Sequence, residues 1–146
     1  MSEKRCMIDN QLCFKIYASS RTIIKLYNSK LKKFKMTYPQ YLVLSVLWEN
    51  ENITVSDIGN RLYLDSGTLT PLLKKMEILN FIYRKRDEQD ERKVIISLTE
   101  YGKNIKSEID ILSMEIAKEI CVPEDKFKKL MENFDYLLNH LIKKGN

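Results

Sequence analysis

The stretch from Asp65 to Glu77 constrains the fold of this chain more than any other, because its apolar residues repeat with the period of an α-helix. Apolar side chains recur at helical spacing along one face: Leu69, Leu72, Leu73, Met76 and Leu79. Asp65 or Ser66 can cap the start, because a short side-chain oxygen accepts hydrogen bonds from the unpaired N–H groups there. Pro71 removes one backbone hydrogen bond, so the helix either bends there or begins later, at Thr68.

The opposite face of this helix carries short hydroxyls at its leading end and ammonium groups behind them. These residues are Ser66, Thr68, Thr70, Lys74 and Lys75. Such a face is typical of a helix in the DNA major groove, with its first turn at base edges and its lysines near phosphates. An ordinary amphipathic surface helix has a similar pattern, so the neighbouring segments must decide.

The charge of the chain is unevenly distributed. The net charge is +5 over 146 residues, yet no acidic residue occurs between Asn10 and Trp48, whereas acids outnumber bases eight to four between Glu108 and Asp135. A basic N-terminal part and an acidic C-terminal part are typical of a protein that binds a polyanion on one side, although a solvated lysine-rich helix has the same composition. Only 4 Gly and 3 Pro favour long helices within one domain.

Several classes of function have little support in the sequence. No apolar run approaches the roughly 18 to 20 residues that span a bilayer, and residues 1–6 lack a signal-peptide core, so we expect a cytoplasmic protein. Three cysteines, Cys6, Cys13 and Cys121, are too few and too scattered for a disulfide framework or a zinc site. With His140 as the only histidine, we expect neither a metal nor another cofactor.

The segments before Asp65 predict a helix-turn-helix. One long helix is predicted over 9–35 and ends at Thr37-Tyr38-Pro39, because Pro39 pushes Tyr38 out of the helical region and itself suits a first helical turn. A second helix follows over about 39–50. Thr54 to Asp57 resembles a capping box for a short helix to Leu62. A turn at 63–65 then leads into the longer helix with the polar outer face.

After Asn80 the apolar period changes to two. Residues 81–86 and 93–98 predict paired strands with a polar tip between them, which form a wing. The wing arginines, Arg84, Arg86 and Arg92, can reach phosphates or a minor groove. We expect Asp90 to hold an arginine in place rather than to face DNA; a salt-bridged solvent hairpin is the alternative.

Two more helices are predicted, from 99 to about 120 and from about 124 to 143. Their apolar faces comprise Ile105, Ile109, Leu112, Ile116 and Ile120 in the first, and Phe127, Leu130, Met131, Phe134, Leu137, Leu138 and Leu141 in the second. The fold class is therefore mainly α with a small β-wing: a six-helix, dimeric winged helix-turn-helix chain. Residues 37–99 are the expected DNA-binding lobe, and 9–35 and 100–146 the dimerisation helices. A dimer offers two recognition helices to half-sites about one helical turn apart.

Cys13 lies near the start of the first predicted helix. The positive end of the helix dipole and the nearby Lys15 and Arg21, in a region without acids, favour a reactive thiolate. A cysteine on an apolar helix face is, however, most often an inert small hydrophobe. Both interpretations stay open on the residues alone.

The chain resembles the MarR family of winged-helix repressors, and specifically its peroxide-sensing OhrR/SarZ branch. The resemblance rests on Gln11-Leu12-Cys13-Phe14, Tyr17-Ala18-Ser19-Ser20-Arg21, Thr37-Tyr38-Pro39-Gln40-Tyr41, the run from Leu64 to Glu77, Arg84-Lys85-Arg86, Asp90-Glu91-Arg92 and Ile96-Ser97-Leu98-Thr99-Glu100. It extends over about residues 10 to 103, and the last two helices match only in pattern. Asp-x-Arg is general to the family, whereas the blocks around Cys13 and over 65–77 are specific to the branch.

The resemblance implies a redox mechanism. Cys13 would be a thiolate held by the hydroxyls of Tyr27 and Tyr38, and since about 21 Å of helix separates Cys13 from Tyr27, that bond must cross the dimer. The reduced dimer would bind an inverted-repeat operator in double-stranded DNA. An organic hydroperoxide would convert Cys13 to sulfenic acid, which condenses with a thiol and releases the DNA. The thiol is either a low-molecular-weight one or Cys121, whose surroundings match poorly; Cys6 is expected to be a bystander.

Three other classes of function are possible. A MarR-like repressor released by a small apolar ligand in the dimer cleft would leave Cys13 structural, with Phe14, Tyr17, Tyr41 and Trp48 lining the pocket. An enzyme such as a thiol peroxidase lacks support, because there is no nearby base, no Cys-x-x-Cys and no Gly-rich cofactor loop. A purely structural domain leaves the hydroxyl and lysine face and the wing arginines unexplained.

Overall fold

Helices form most of the part of the chain that the computed structural model describes, residues 7–144. The α-helices are α1 (Leu12–Leu31), α2 (Tyr38–Glu49), α3 (Val55–Leu62), α4 (Ser66–Ile78), α5 (Glu100–Asn104), α6 (Lys106–Ile120) and α7 (Glu124–Lys144). The strands are β1 (Ile53–Thr54), β2 (Ile82–Arg86) and β3 (Val94–Leu98). The chain divides into one compact unit up to Leu112 and a second from Ser113 onward. The predicted fold class is confirmed, with the expected fifth helix divided into α5 and α6 at Ile105.

The boundaries of the early helices differ from the prediction by a few residues. α1 is shorter than 9–35, because short 3-10 turns over Ile8–Asn10 and Lys32–Phe34 take up its two ends. α2 begins at Tyr38, so the prediction that Tyr38 lies outside the helix is wrong. Its start is held by Gln40, whose side-chain oxygen accepts from the Thr37 backbone N–H at 2.9 Å. The predicted Thr54–Asp57 capping box is present.

A close approach of backbone fixes the turn between α3 and α4. The backbone N–H of Leu64 donates to the carbonyl of Gly59 at 2.9 Å, and Tyr63 takes the left-handed conformation at φ 55°. A Cβ on Gly59 would lie 2.7 Å from the Leu64 carbonyl oxygen, so only glycine fits there. The turn thereby sets the angle between the two helices.

The core of the first unit lies where α2, α3 and α4 pack on the sheet. Its fully buried side chains include Leu31, Leu44, Leu47, Ile58, Leu69, Leu73, Met76, Phe81, Ile82 and Ile96. Thr99 is buried among them and caps α5: its hydroxyl donates to the Asn80 carbonyl at 2.6 Å and accepts from the Gly102 N–H at 2.9 Å. Both polar functions of this side chain are therefore satisfied in the core.

The sheet has three strands rather than the two expected. The strand order is β1-β3-β2, and both pairs are antiparallel. Ile96 of the central strand β3 is paired with Ile53 of β1 on one side and with Arg84 of β2 on the other. β1 is only two residues long, too short to show a period of two in the sequence. The strand joins the start of α3 to the base of the wing.

Two helix faces that the sequence assigns to burial are open in this chain. On α1, Leu12 and Tyr17 are exposed and only Leu31 is buried. On α7, the apolar face is exposed in the single chain at Phe127, Leu130, Met131, Phe134, Leu138 and Leu141, so its burial against a second chain stays a prediction. On α6, Ile109 and Ile116 are buried as expected, whereas Ile120 is exposed.

None of the helices between residues 7 and 144 is long and apolar enough to cross a membrane.

Candidate DNA-binding surface and cysteine site

Asp65 organises the first turn of α4. Its carboxylate accepts from the Thr68 backbone N–H at 2.8 Å and from the Thr68 hydroxyl at 3.3 Å. These hydrogen bonds, the backbone one foremost, hold the pKa of Asp65 below its ordinary value. The helix starts at Ser66 and continues through Pro71, so it does not begin at Thr68.

The predicted contact face of α4 is open. Ser66, Thr68, Thr70, Lys74 and Lys75 are all exposed. The Thr70 hydroxyl donates to the Ser66 carbonyl at 2.8 Å, which leaves its oxygen able to accept. Within the described range, neither Lys74 nor Lys75 takes part in an ion pair. Their ammonium groups are therefore available to an external anion.

A groove with a volume of about 520 Å³ lies between this face and the wing. Ser66 and Thr70 of α4 line it together with Arg84 of β2 and Arg92 of the wing. Thr68, Lys74, Lys75, Arg86 and Asp90 lie outside that lining. The fold thus places hydroxyls from the start of α4 and arginines from the wing around one groove.

The acidic residues of the wing tip stabilise the loop itself. Asp87 accepts from the backbone N–H groups of Gln89 and Asp90 at 2.8 and 2.9 Å, and these bonds lower the pKa of Asp87. Asp90 accepts from both the backbone N–H and the Nε of Arg92, each at 3.2 Å. The expected Asp90–arginine pair is therefore present, and it leaves the Arg92 side chain 93% exposed.

Arg84 differs from the other two wing arginines. Its side chain is only 22% exposed and pairs with Glu77 of α4 at 3.5 Å, and its buried Nε has no hydrogen-bond partner among the described residues. Arg86 is exposed and, within residues 7–144, forms no ion pair. The structure therefore presents Arg86 and Arg92 outward and places Arg84 against α4.

Three tyrosines meet where α1 packs on α2. The rings of Tyr27 and Tyr38 have centroids 4.7 Å apart, and Tyr41 lies 5.4 Å from Tyr27 and 5.9 Å from Tyr38. Asn28 ties the helices together by accepting from the Tyr38 backbone N–H at 2.7 Å. The sequence prediction missed Tyr41 as a member; its position three residues after Tyr38, one turn along α2, was the available signal.

Burial, with smaller contributions from the neighbouring Tyr41 and Tyr38, raises the pKa of Tyr27 to about 12. Burial likewise raises the pKa of Tyr38, with Tyr41 as the next cause. Both hydroxyls are therefore protonated at neutral pH. A protonated phenol is a hydrogen-bond donor, which is the function that a thiolate acceptor requires.

Cys13 is not part of this cluster within one chain. It is exposed at the second residue of α1, and α1 continues without a break through Tyr27, about 21 Å further on. Cys121 is also exposed, at φ 45° just after α6, and Cys6 lies outside the described residues. Within those residues no cluster of His, Cys, Asp and Glu suits a metal ion.

The four aromatic residues suggested for an apolar ligand do not converge. Phe14 and Tyr17 line a shallow groove along α1, whereas Tyr41 belongs to the tyrosine cluster. Trp48 is engaged elsewhere, since its Nε1 donates to the Gly102 carbonyl at 2.9 Å. Within residues 7–144 of one chain these four side chains do not share a pocket, and a ligand site in the dimer cleft stays a prediction.

Known proteins resemble this chain over most of its length. The family described as transcriptional regulator SarA/Rot matches residues 25–109. The organic hydroperoxide resistance transcriptional regulator of Bacillus subtilis (strain 168) is 57% identical over 105 residues, 71% of this chain and 71% of that protein. The regulator SarZ of Staphylococcus aureus (strain NCTC 8325 / PS 47) is 42% identical over 137 residues, 88% of this chain and 93% of SarZ.

Solved structures agree with these relatives. Reduced AbfR bound to DNA superposes with a TM-score of 0.80 at 39% identity, covering 97% of this chain and 99% of AbfR. Disulfide-formed AbfR superposes with a TM-score of 0.69 at 38% identity, covering 96% of each chain. AbfR is a protein of Staphylococcus epidermidis.

Proposed function

The chain belongs to the SarA/Rot family of transcriptional regulators, within the MarR-type winged-helix proteins related to OhrR and SarZ, and we propose that it is a dimeric repressor released from DNA by oxidation of Cys13. Its relatives are DNA-binding regulators and not enzymes.

The position of Cys13 relative to the tyrosines carries the proposal. An exposed thiol lies at the start of α1, and Tyr27 lies about 21 Å further along the same helix, where its ring packs against Tyr38 of α2. In an antiparallel or crossed pairing of two α1 helices, the start of one helix lies near the end of the other. Cys13 of one protomer then faces Tyr27 and Tyr38 of its partner. The 57% identical relative is named for organic hydroperoxide resistance, which supports an organic hydroperoxide as the oxidant.

The open apolar faces support a dimer. Leu12 and Tyr17 on α1, and Phe127 and Leu130 on α7, are each more than two-fifths exposed in the single chain. Exposed apolar surface of this extent marks an interface, and a second copy covers it in a two-fold arrangement. Two α4 helices then present their hydroxyl faces to the half-sites of an inverted-repeat operator.

The chemistry has two steps. The Cys13 thiolate attacks the terminal oxygen of the hydroperoxide, the O–O bond breaks, and Cys13 becomes a sulfenic acid while the alkoxide leaves and takes a proton from solvent to become the alcohol. A second thiol then attacks the sulfenic sulfur, and a disulfide forms as water leaves. The second thiol is a low-molecular-weight thiol or Cys121. Either product removes the thiolate that accepts from the tyrosines, so the interface rearranges and the two recognition helices lose their spacing.

Hydroperoxide consumption tests the chemistry. The purified dimer is treated with increasing cumene hydroperoxide, the residual peroxide is measured, and Cys13 is analysed by mass spectrometry after trapping with dimedone. We expect about one equivalent consumed per Cys13, with dimedone on that residue. Consumption of many equivalents without added reductant would indicate an enzyme, and adducts on Cys121 but not on Cys13 would refute the assigned sensor.

A further inference from the structure

Glu77 binds the wing through both of its carboxylate oxygens. Oε1 accepts from the backbone N–H of Arg84 at 3.2 Å, and Oε2 pairs with the Arg84 Nη1 at 3.5 Å. Glu77 is the second-last residue of α4, and Arg84 is the middle residue of β2. One carboxylate therefore joins the end of the recognition helix to the centre of a wing strand.

The backbone contact matters because β2 is an edge strand. The strand order β1-β3-β2 leaves one side of β2 without a neighbouring strand, and outward N–H groups on such an edge have no ladder partner. Glu77 supplies that partner for Arg84. The turn between the two elements is itself ordered, since the Phe81 N–H donates to the Met76 carbonyl at 3.0 Å. The carboxylate adds a second attachment further along the strand.

The Arg84 side chain is committed to this contact. It is 22% exposed, and its Nε is buried and makes no hydrogen bond to any residue between 7 and 144. A guanidinium placed for phosphate would be open, as in Arg92, whose side chain is 93% exposed.

We infer that Glu77 and Arg84 form a clamp that fixes the wing against the recognition helix, so that both are positioning residues for DNA binding and Arg84 is not itself a phosphate contact. The clamp holds Arg86 and Arg92 at a set distance from the hydroxyl face of α4. The wing and the hydroxyl face of α4 can then bind one duplex without reordering of the wing, which lowers the entropic cost of association.

The effect of Glu77 substitutions on DNA affinity distinguishes the clamp from a direct contact between Arg84 and phosphate, because the two predict changes of opposite sign. The probe is a DNA duplex that the wild-type dimer selects from a random-sequence library, and affinity is measured by fluorescence anisotropy. Glu77→Ala removes both contacts and is expected to weaken binding about tenfold. Glu77→Gln keeps one accepting oxygen and is expected to weaken it less. If Glu77 merely competed with phosphate for Arg84, both variants would bind more tightly, because a carboxylate near the DNA is lost.

The salt dependence of binding supplies the second readout. Arg84→Met is expected to lower affinity with little change in the slope of log K against log salt, whereas the matched control Arg86→Met makes the slope shallower by about one. A slope change for Arg84→Met equal to that of the control, or unchanged affinity in the Glu77 variants, would overturn the clamp. Thermal unfolding of each variant at equal protein concentration shows that the compared proteins are folded.

Discussion

Tyr27 of α1 and Tyr38 of α2 lie with their ring centroids 4.7 Å apart, while Cys13 lies on the same unbroken α1 about 21 Å from Tyr27. The Tyr27 donor and the thiol of the proposed sensor therefore lie far apart on one helix, with Tyr38 of α2 beside Tyr27. In the dimer that we propose, two crossed copies of α1 bring thiol and donors together, so that the redox site would lie in the subunit interface.

Mixed dimers test the cross-subunit arrangement. One chain carries Cys13→Ser and the other Tyr27→Phe, so the only remaining Cys13 faces an intact Tyr27 if the site crosses the interface. We expect this thiol to react with cumene hydroperoxide at close to the wild-type rate per site, measured by stopped-flow mixing. The Tyr27→Phe homodimer is the control and is expected to react at least several-fold more slowly, since it loses a charge-assisted hydrogen bond. Equal slow rates in both would contradict the cross-subunit site.

Tyrosine titration tests the packing of the cluster. Because burial, Tyr41 and Tyr38 together raise the pKa of Tyr27 to about 12, Tyr41→Phe is expected to lower the pKa of Tyr27 toward its ordinary value. Absorbance near the phenolate band reports the change, with Tyr83→Phe in the exposed part of the wing as control. The raised pKa also makes stability depend on pH, because the unfolded chain loses the Tyr27 proton first as pH rises. The contribution of Tyr27 to the free energy of unfolding is therefore fully present below about pH 10 and is lost as pH rises towards 12. Tyr27→Phe should flatten that fall.

The buried hydroxyl of Thr99 is expected to matter for folding. Thr99→Val keeps the shape of the side chain but leaves the Gly102 N–H and the Asn80 carbonyl without their partner. The expected loss is about 2 kcal/mol in the free energy of unfolding, from one buried hydroxyl that serves two backbone groups. Urea denaturation at fixed protein concentration measures it. Thr22→Val, whose hydroxyl is exposed and bonds only the Ala18 carbonyl, is the comparison and should cost far less.

The α4 face is expected to divide into residues that read bases and residues that bind phosphate. Lys75→Met should weaken binding to all duplexes alike and make the salt dependence shallower by about one, whereas Ser66→Ala should narrow the preference for the selected duplex over a scrambled one. Competition binding at two salt concentrations distinguishes them. A sequence-dependent loss in Lys75→Met, with a uniform loss in Ser66→Ala, would reverse these assignments.

Much of the fold follows from the apolar periodicity and the helix-capping residues of the sequence. The apolar spacing of Leu69, Leu73 and Met76 predicts α4, and Asp65 is the cap that its short carboxylate suggests. The period of two predicts β2 and β3. β1 was missed because two residues carry no period, and the break at Ile105 lies within a continuous helical pattern. Apolar spacing on α7 identifies a face but not what covers it, and in the single chain that face is open.

The site was partly predictable. The residues from Ser66 to Lys75 lie where the pattern puts them, because a helix fixes the direction of its side chains. The pairing of Arg84 with Glu77 depends on how a strand returns past a helix after the turn, which no local pattern specifies. Tyr41 joins the cluster through the packing of two helices, and that relation also appears only in three dimensions.

Release of DNA by oxidation tests the central claim most directly. The selected duplex, labelled with a fluorophore, is bound to wild-type protein and to Cys13→Ser, and each complex receives one equivalent of cumene hydroperoxide with a small thiol such as cysteine. Dissociation of the wild type with retention by Cys13→Ser is the predicted result, and Cys121→Ser then shows whether that thiol takes part. If both complexes stay bound, or both dissociate, Cys13 is not the switch.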